Sequence, residues 1–265
     1  MESQKIVVVT GGNSGIGYET VKALLQSEKA YAIYLGSRNQ EKGSAAVEAL
    51  RQECPDSENT VELLQVDVAS DESIEKACEQ VKARYGHLDI LINNAGATFD
   101  IEYLRNKISL RDCFTSAYNA NVAGAHIMTH TFMPLLLQSS SPRLIFVAGL
   151  SFITQAAEKY FPTPPLPAGW PKKLDFETIG YRCSKTALNM LMLDWNHKLK
   201  EDGVKVWCVA PGMLDTNLGD VGPEIKKKMG LGHASIGGRL LRSVVEGERD
   251  GETGRIVAKD GIAAW

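Results

Sequence analysis

The order of hydrophobic runs along the chain predicts a single α/β domain built on a doubly wound parallel sheet. Three observations carry this reading. Short runs of Val, Ile and Leu without polar alternation recur from Ile6–Thr10 to Arg255–Ala258, the pattern of strands buried on both faces. Longer amphipathic stretches separate them and supply the crossovers that parallel strands need. The 265 residues, 44% hydrophobic and 23% charged, suffice for one large core and show no linker, repeat or low-complexity block.

The elements follow in order. The β-branched run Ile6–Thr10 leads into Thr10-Gly11-Gly12-Asn13-Ser14-Gly15-Ile16-Gly17, and a helical pattern follows over Gly17–Gln26. A strand, a glycine-rich turn and a helix N-terminus in that order suit a nucleotide pyrophosphate. Glycine lets the backbone approach closely, and free N–H groups with the helix dipole favour negative charge. Gly11, Asn13, Ser14, Gly15, Ile16 and Gly17 are therefore cofactor-binding candidates; a tight connection without a ligand is the alternative. A second strand, Ala32–Gly36, ends in Ser37-Arg38-Asn39. No carboxylate stands there to accept from a ribose 2′-hydroxyl, whereas Arg38 and Ser37 suit a 2′-phosphate, so NADP(H) is the expected cofactor. Helix Gln40–Gln52, strand Val61–Val66, helix Ser70–Tyr85 and strands Ile90–Asn93, Leu144–Ala148, Val204–Ala210 and Arg255–Ala258 complete a Rossmann-type sheet of about seven parallel strands.

The chemistry is expected at Tyr181-Arg182-Cys183-Ser184-Lys185. The spacing puts Tyr181 and Lys185 on one helix face. A phenol with an ordinary pKa of about 10 is a poor acid–base group near neutrality. A lysine one turn away and a positively charged nicotinamide stabilise the phenolate and bring that pKa down. Tyr181 can then protonate a carbonyl oxygen as hydride reaches the carbon.

The glycine spacing T-G-x-x-x-G-x-G, the run Asn93-Asn94-Ala95-Gly96, the Tyr181–Lys185 pair and Pro211-Gly212 after the sixth strand resemble the short-chain dehydrogenase/reductase family over nearly the whole chain. The resemblance is closest to its carbonyl-reductase-like branch and extends to fungal members that tailor secondary metabolites. It implies that Asp67, with Val68, meets the adenine, although Asp67 is also placed to cap the next helix. It implies that Asn94, Ala95 and Gly96 support the nucleotide ribose, and that Pro211, Gly212, Met213 and Thr216 meet the nicotinamide amide and phosphates. Asn121 matches the family asparagine that helps hold a water beside the lysine. The family's serine is where this chain departs: Ala148-Gly149 stands at that strand end, and the nearest hydroxyl is Ser151.

Between Ser151 and Tyr181 the chain is longer than is usual in the family, with a proline-rich insertion at about 152–178. Five of the ten prolines fall within Pro162–Pro171, and proline-stiffened backbone loses little entropy on ordering. Phe161, Leu166 and Trp170 are expected to wall a substrate-covering loop; a surface excursion, or a segment that blocks the helix packing used for oligomers, is the alternative.

The net charge of −3 gives no reason to expect nucleic acid, and no stretch is long enough to span a bilayer. Scattered cysteines (Cys54, Cys78, Cys113, Cys183, Cys208) without a C-x-x-C pair suggest reduced thiols and a cytoplasmic protein. The histidines show no metal-ligand arrangement. Lys226-Lys227-Lys228 reads as a solvated helix face, and Asn217–His233 as a mobile stretch. A homo-oligomer through the helices of Asn121 and Tyr181 is compatible with the family. The expected function is NADPH-dependent reduction of a carbonyl in a bulky, partly aromatic small molecule, with Tyr181 as acid, Lys185 and Asn121 in support and Ser151 orienting the substrate. The alternatives are an imine or iminium reductase, a reductase coupled to ring closure, and an NADP(H)-sensing protein without turnover.

Overall fold

In a computed structural model, residues 4–149, 151–160, 165–220 and 230–265 are described. Lys226-Lys227-Lys228, Phe161 and part of Asn217–His233 lie outside the described residues. The strands of the main sheet are β1 (Lys5–Val9), β2 (Tyr31–Ser37), β3 (Thr60–Gln65), β4 (Ile90–Asn93), β5 (Arg143–Val147), β6 (Lys205–Ala210), β9 (Ile256–Ala258) and β10 (Gly261–Ala263). Their order across the sheet is β10-β9-β6-β5-β4-β1-β2-β3. A two-stranded ribbon pairs β7 (Leu214–Asp215) with β8 (Gly232–His233).

The helices are α1 (Gly15–Leu25), α2 (Gln40–Glu53), α3 (Asp71–Tyr85), α4 (Asp100–Leu104), α5 (Leu110–Tyr118), α6 (Gly124–Leu136), α7 (Ile153–Glu158), α8 (Ile179–Lys198) and α9 (Ser235–Glu246). A π-helical turn at Asn119–Ala123 joins α5 to α6. Among the described residues no helix is long and apolar enough to cross a membrane.

The seven expected strands are all present and mutually parallel. Beside them, β10 runs antiparallel to β9 and makes an eighth strand at the sheet edge. Alternate strand residues feed two cores, one on each face of the sheet. Val8, Tyr34, Leu91, Phe146 and Cys208 face α3, α6 and α8; Val7, Ile33, Ile92, Ile145 and Trp207 face α1, α2 and α9. This is why the strands read as continuous apolar runs. Helix α9 closes directly onto α1: a Cβ on Gly238 would stand 2.4 Å from the Glu19 carbonyl oxygen, so only glycine permits the approach.

Two strand entries are fixed at the base of the sheet. Asn59 accepts from the Tyr31 amide at 2.7 Å and donates to the Leu24 and Ser27 carbonyls, fixing the entry to β2. At the entry to β5, buried Arg143 forks onto Asp250 at 2.6 and 3.0 Å and donates to the Val244 carbonyl at 3.1 Å. The insertion differs from the expectation. Leu166 and Trp170 are 37% and 88% exposed and do not line the cleft. The apolar contribution of this part of the chain comes instead from Phe152 and Phe176.

Candidate active site

A cleft of about 1580 Å³ opens at the C-terminal ends of the central strands, where the order reverses between β1 and β4 and ligands of such sheets bind. At its floor, Gly11 and Gly15 take left-handed φ values of 64° and 57°. A Cβ on Gly11 would fall 2.9 Å from the Ala95 Cα, and one on Gly17 would fall 2.4 Å from the Gly11 carbonyl oxygen and 2.5 Å from the Asn94 amide nitrogen. The turn is pinned from β4: Asn94 Nδ2 donates to the Thr10 carbonyl at 2.8 Å, and the Thr10 hydroxyl accepts from the Asn94 and Ala95 amides. The first turn of α1 has no side-chain cap and no acidic residue, so its amides remain available to an anionic ligand. Gly11, Asn13, Ser14, Gly15 and Ile16 line the cleft, and Gly17 is buried beneath the turn. These features fit a dinucleotide.

The outer end of the cleft holds Ser37, Arg38, Asp67 and Val68. The Ser37 hydroxyl is already committed to the Asn39 carbonyl at 2.9 Å, while Arg38 is exposed at the rim. Lys42, on the first turn of α2, adds a second cation that the sequence reading did not single out. Asp67 accepts from the Ala69 amide at 3.0 Å, and the cap of α3 is Ser70, which leaves Asp67 facing the cleft. Asn94, Ala95 and Gly96 line the middle, and Pro211, Gly212, Met213 and Thr216 form the opposite wall.

Tyr181 and Lys185 share one face of α8, with Lys185 Nζ 5.7 Å from the Tyr181 ring centre. Lys185 donates to the Val147 carbonyl at 2.8 Å. Burial pushes the Lys185 ammonium down to about 8, and burial also raises the Tyr181 phenol above its ordinary range. Both shifts penalise charge in a dry site. Asn121 is fully buried in the π-helical turn. Its side chain is consumed by the Ala97 amide at 2.7 Å, the Ala97 carbonyl at 2.8 Å and the Ser184 hydroxyl at 2.8 Å. It therefore ties the loop after β4 to α8 and does not line the cleft. Ser151 is 2% exposed and also stands outside the cleft lining. Among the described residues its hydroxyl has no partner, and neither has the side-chain oxygen of Asn189, whose amide reaches the Ser151 carbonyl at 3.4 Å. The strand end facing Tyr181 is Ala148-Gly149.

One residue that holds this arrangement had no signal in the sequence reading. Asp100, 1% exposed on α4, accepts from the Gly180 amide at 2.7 Å, the Tyr181 amide at 3.0 Å and the Thr98 hydroxyl at 2.9 Å. Glu177 takes the Thr178 and Ile179 amides at 2.8 and 3.1 Å. Two carboxylates thus satisfy the first amides of α8, which its own N-cap residue leaves unbonded. Asp100→Asn keeps one acceptor and loses the charge, and is expected to cost about 1–2 kcal/mol in thermal or denaturant unfolding. An unchanged Tm would show that the cap contributes nothing.

Comparison with known proteins agrees with this geometry. A family model described as short chain dehydrogenase matches residues 5–158 and 172–224; the gap, 159–171, falls within the proline-rich segment. The short-chain dehydrogenase/reductase tropE of Talaromyces stipitatus is 47% identical over 98% of this chain and 97% of its own length. The short-chain dehydrogenase/reductase eupG of a Phoma species is 40% identical over 98% and 97%. The NADPH-bound carbonyl reductase from chicken fatty liver superposes over 99% of both chains with a TM-score of 0.78 at 22% identity, a likeness of fold. The chain belongs to the short-chain dehydrogenase/reductase family, whose members are oxidoreductases that use a nicotinamide cofactor.

Proposed function

We propose that the protein is an NADPH-dependent reductase that delivers hydride to a carbonyl of a bulky, partly aromatic small molecule. The observation that carries this is the Tyr181–Lys185 pair in the wall of a cleft whose floor is the glycine turn. A bound nicotinamide supplies the hydride. Tyr181 gives its proton to the carbonyl oxygen, and the buried ammonium of Lys185 lowers the cost of the phenolate left behind. Asn121 acts from behind, by holding the Ala97 loop and Ser184 in register. Gly11 to Gly17 and the uncapped α1 take the pyrophosphate, Asp67 and Val68 the adenine, and Arg38 with Lys42 the 2′-phosphate.

The cofactor preference is checked by fluorescence titration. Arg38→Ala is expected to weaken NADPH about tenfold, the worth of one charge-assisted contact at an exposed rim, and to leave NADH unchanged. Equal loss for both cofactors would mean that Arg38 does not read the 2′-phosphate.

The activity is tested by following NADPH oxidation against bulky ketones, aldehydes, quinones and cyclic imines. Turnover of carbonyl compounds is the expected result. A second reading has one observation in its favour: Ala148-Gly149 offers no hydroxyl at that strand end, and Ser151 does not line the cleft. An imine or iminium needs no such donor, so activity confined to imines would favour that reading. NADPH binding without turnover of any class would make the chain a cofactor sensor.

A further inference from the structure

Helix α7 forms a wall of the cleft beside Tyr181, yet nothing in its own sequence holds it there. It follows the strand end Ala148-Gly149, and Tyr160, directly after it, stacks its ring 4.5 Å from the guanidinium of Arg182, the neighbour of Tyr181. Phe152, Gln155, Ala156 and Lys159 line the cleft. The helix has six residues, no side-chain cap and no buried residue, and a helix of that length is not stable by itself in water. Its place therefore comes from contacts outside it. Phe152 packs on the core between the sheet and α8, and the Asn189 amide of α8 reaches the Ser151 carbonyl at 3.4 Å. A further anchor comes from the segment that follows β10: the Thr154 amide donates to the Trp265 carbonyl at 2.5 Å. Trp265 is itself seated, because it packs with Ala263 on the same core as Phe152, and β10 is held in register on β9. The turn of that hairpin, Ala258-Lys259-Asp260, lines the cleft. One hairpin thus meets the cleft at its turn directly and at Trp265 through α7.

We propose that Trp265 is a specificity-determining residue that seats α7 and so fixes the wall against which a bulky substrate packs. It does not line the cleft and acts as a positioning residue, through the Thr154 amide. The proposal rests on the reading of the cleft as a reductase site and names what gives that site its preference for large carbonyl compounds. Without the indole on the core, the carbonyl that holds Thr154 is no longer fixed, and α7 samples positions that a large ligand must then order at a cost in affinity. A carbonyl compound too small to reach α7 does not bear that cost.

The test reads α7 first and the substrate second. In the NADP⁺-loaded protein, the Ala156 and Lys159 amides, which bond to the Phe152 and Gln155 carbonyls, are expected to exchange hydrogen about fivefold faster or more in Trp265→Ala. The Leu188 and Met192 amides of α8 should keep their rates. The KM for 2-acetonaphthone is expected to rise about fivefold or more with kcat within about twofold, while the KM for acetaldehyde and the affinity for NADPH stay within about twofold. Calorimetric binding of 2-acetonaphthone to the NADP⁺-loaded protein should weaken to the same extent. Trp265→Phe keeps a ring on the core and should recover most of the loss. Thr154→Pro removes the donor from the exposed side, in a first helical turn where proline is tolerated, and should reproduce Trp265→Ala, so the test holds if that variant does not fold. Unchanged exchange in α7, faster exchange shared equally by α8, equal KM changes for both compounds, or no binding of 2-acetonaphthone by wild type would overturn the proposal. If 2-acetonaphthone is reduced and its KM does not move in Trp265→Ala, this inference falls while the reductase reading stands. If its binding weakens as expected and wild type reduces no carbonyl compound, the reductase reading falls instead.

Discussion

Tyr181→Phe is expected to lower kcat for carbonyl reduction by about 10²- to 10⁴-fold, the usual worth of a positioned proton donor. NADPH affinity should stay within about twofold, because the glycine turn and the Arg38 end of the cleft are untouched. The phenyl ring keeps its volume, and Lys185 keeps its bond to the Val147 carbonyl, so lost turnover reports the missing proton and not a collapsed site. The pH dependence should follow from the same pair. Burial lowers Lys185 to about 8 and raises Tyr181. With its folded value depressed, the ammonium is present below about 8 and is lost as the pH rises through it. Carbonyl reduction should therefore fall on the alkaline side. Turnover that survives in Tyr181→Phe, with an unchanged pH profile, would mean that the proton comes from elsewhere.

Most of the fold was legible because both-face burial imposes a simple code. Each of the seven parallel strands is a largely apolar run between amphipathic stretches, and each lies within a few residues of its expected place. The eighth strand escaped because β10 is short and at the sheet edge, with Ile262 55% exposed. Its signal was present, however: the two-residue loop Lys259-Asp260 joins β9 to β10, Gly261 pairs with Ala258 at a φ of 125°, and an Asp-Gly step beside an apolar run marks a turn.

The cleft residues were legible where backbone geometry demands glycine or a spaced pair, as at Gly11, Gly15 and Tyr181–Lys185. The rest depends on contacts distant in sequence. Asp100 caps α8 from 80 residues away, and no local pattern records that. Lys42 reaches the cleft because α2 starts two residues after Arg38, capped by Asn39. In the insertion, prolines and aromatics signal stiffness and apolar area but not direction. Trp170 faces solvent, while Phe152 and Phe176, at the two ends of the segment, face the cleft.

The largest stability effect is expected at the base of the sheet, opposite the cleft. Arg143 is 5% exposed at the start of β5, and Asp250 is its bidentate partner. Lys205 at the start of β6 shares the same carboxylate. Removing the partner of a buried charge costs far more than the pair contributes, because the remaining ion is desolvated without compensation. Arg143 would retain the Val244 carbonyl and the face of Trp207, 5.4 Å away, and Asp250 is itself partly exposed. Both place the cost of Asp250→Ala at about 3 kcal/mol, the lower end for broken buried pairs. For a domain of this size that corresponds to a Tm fall of about 6–12 °C. The acid dependence has a definite sign. Arg143, with Lys205, holds the Asp250 carboxyl at about 2, below its ordinary 3.8. A depressed carboxylate contributes stability that is complete above the ordinary value and is lost as the pH falls towards the folded one. The difference between wild type and Asp250→Ala should therefore be constant near neutrality and shrink between about pH 4 and pH 2. Because the pair sits at the opposite end of β5 from Ala148, NADPH affinity should survive the substitution at temperatures well below the new Tm. A variant that loses cofactor binding while remaining folded would show that the strand transmits the defect to the cleft.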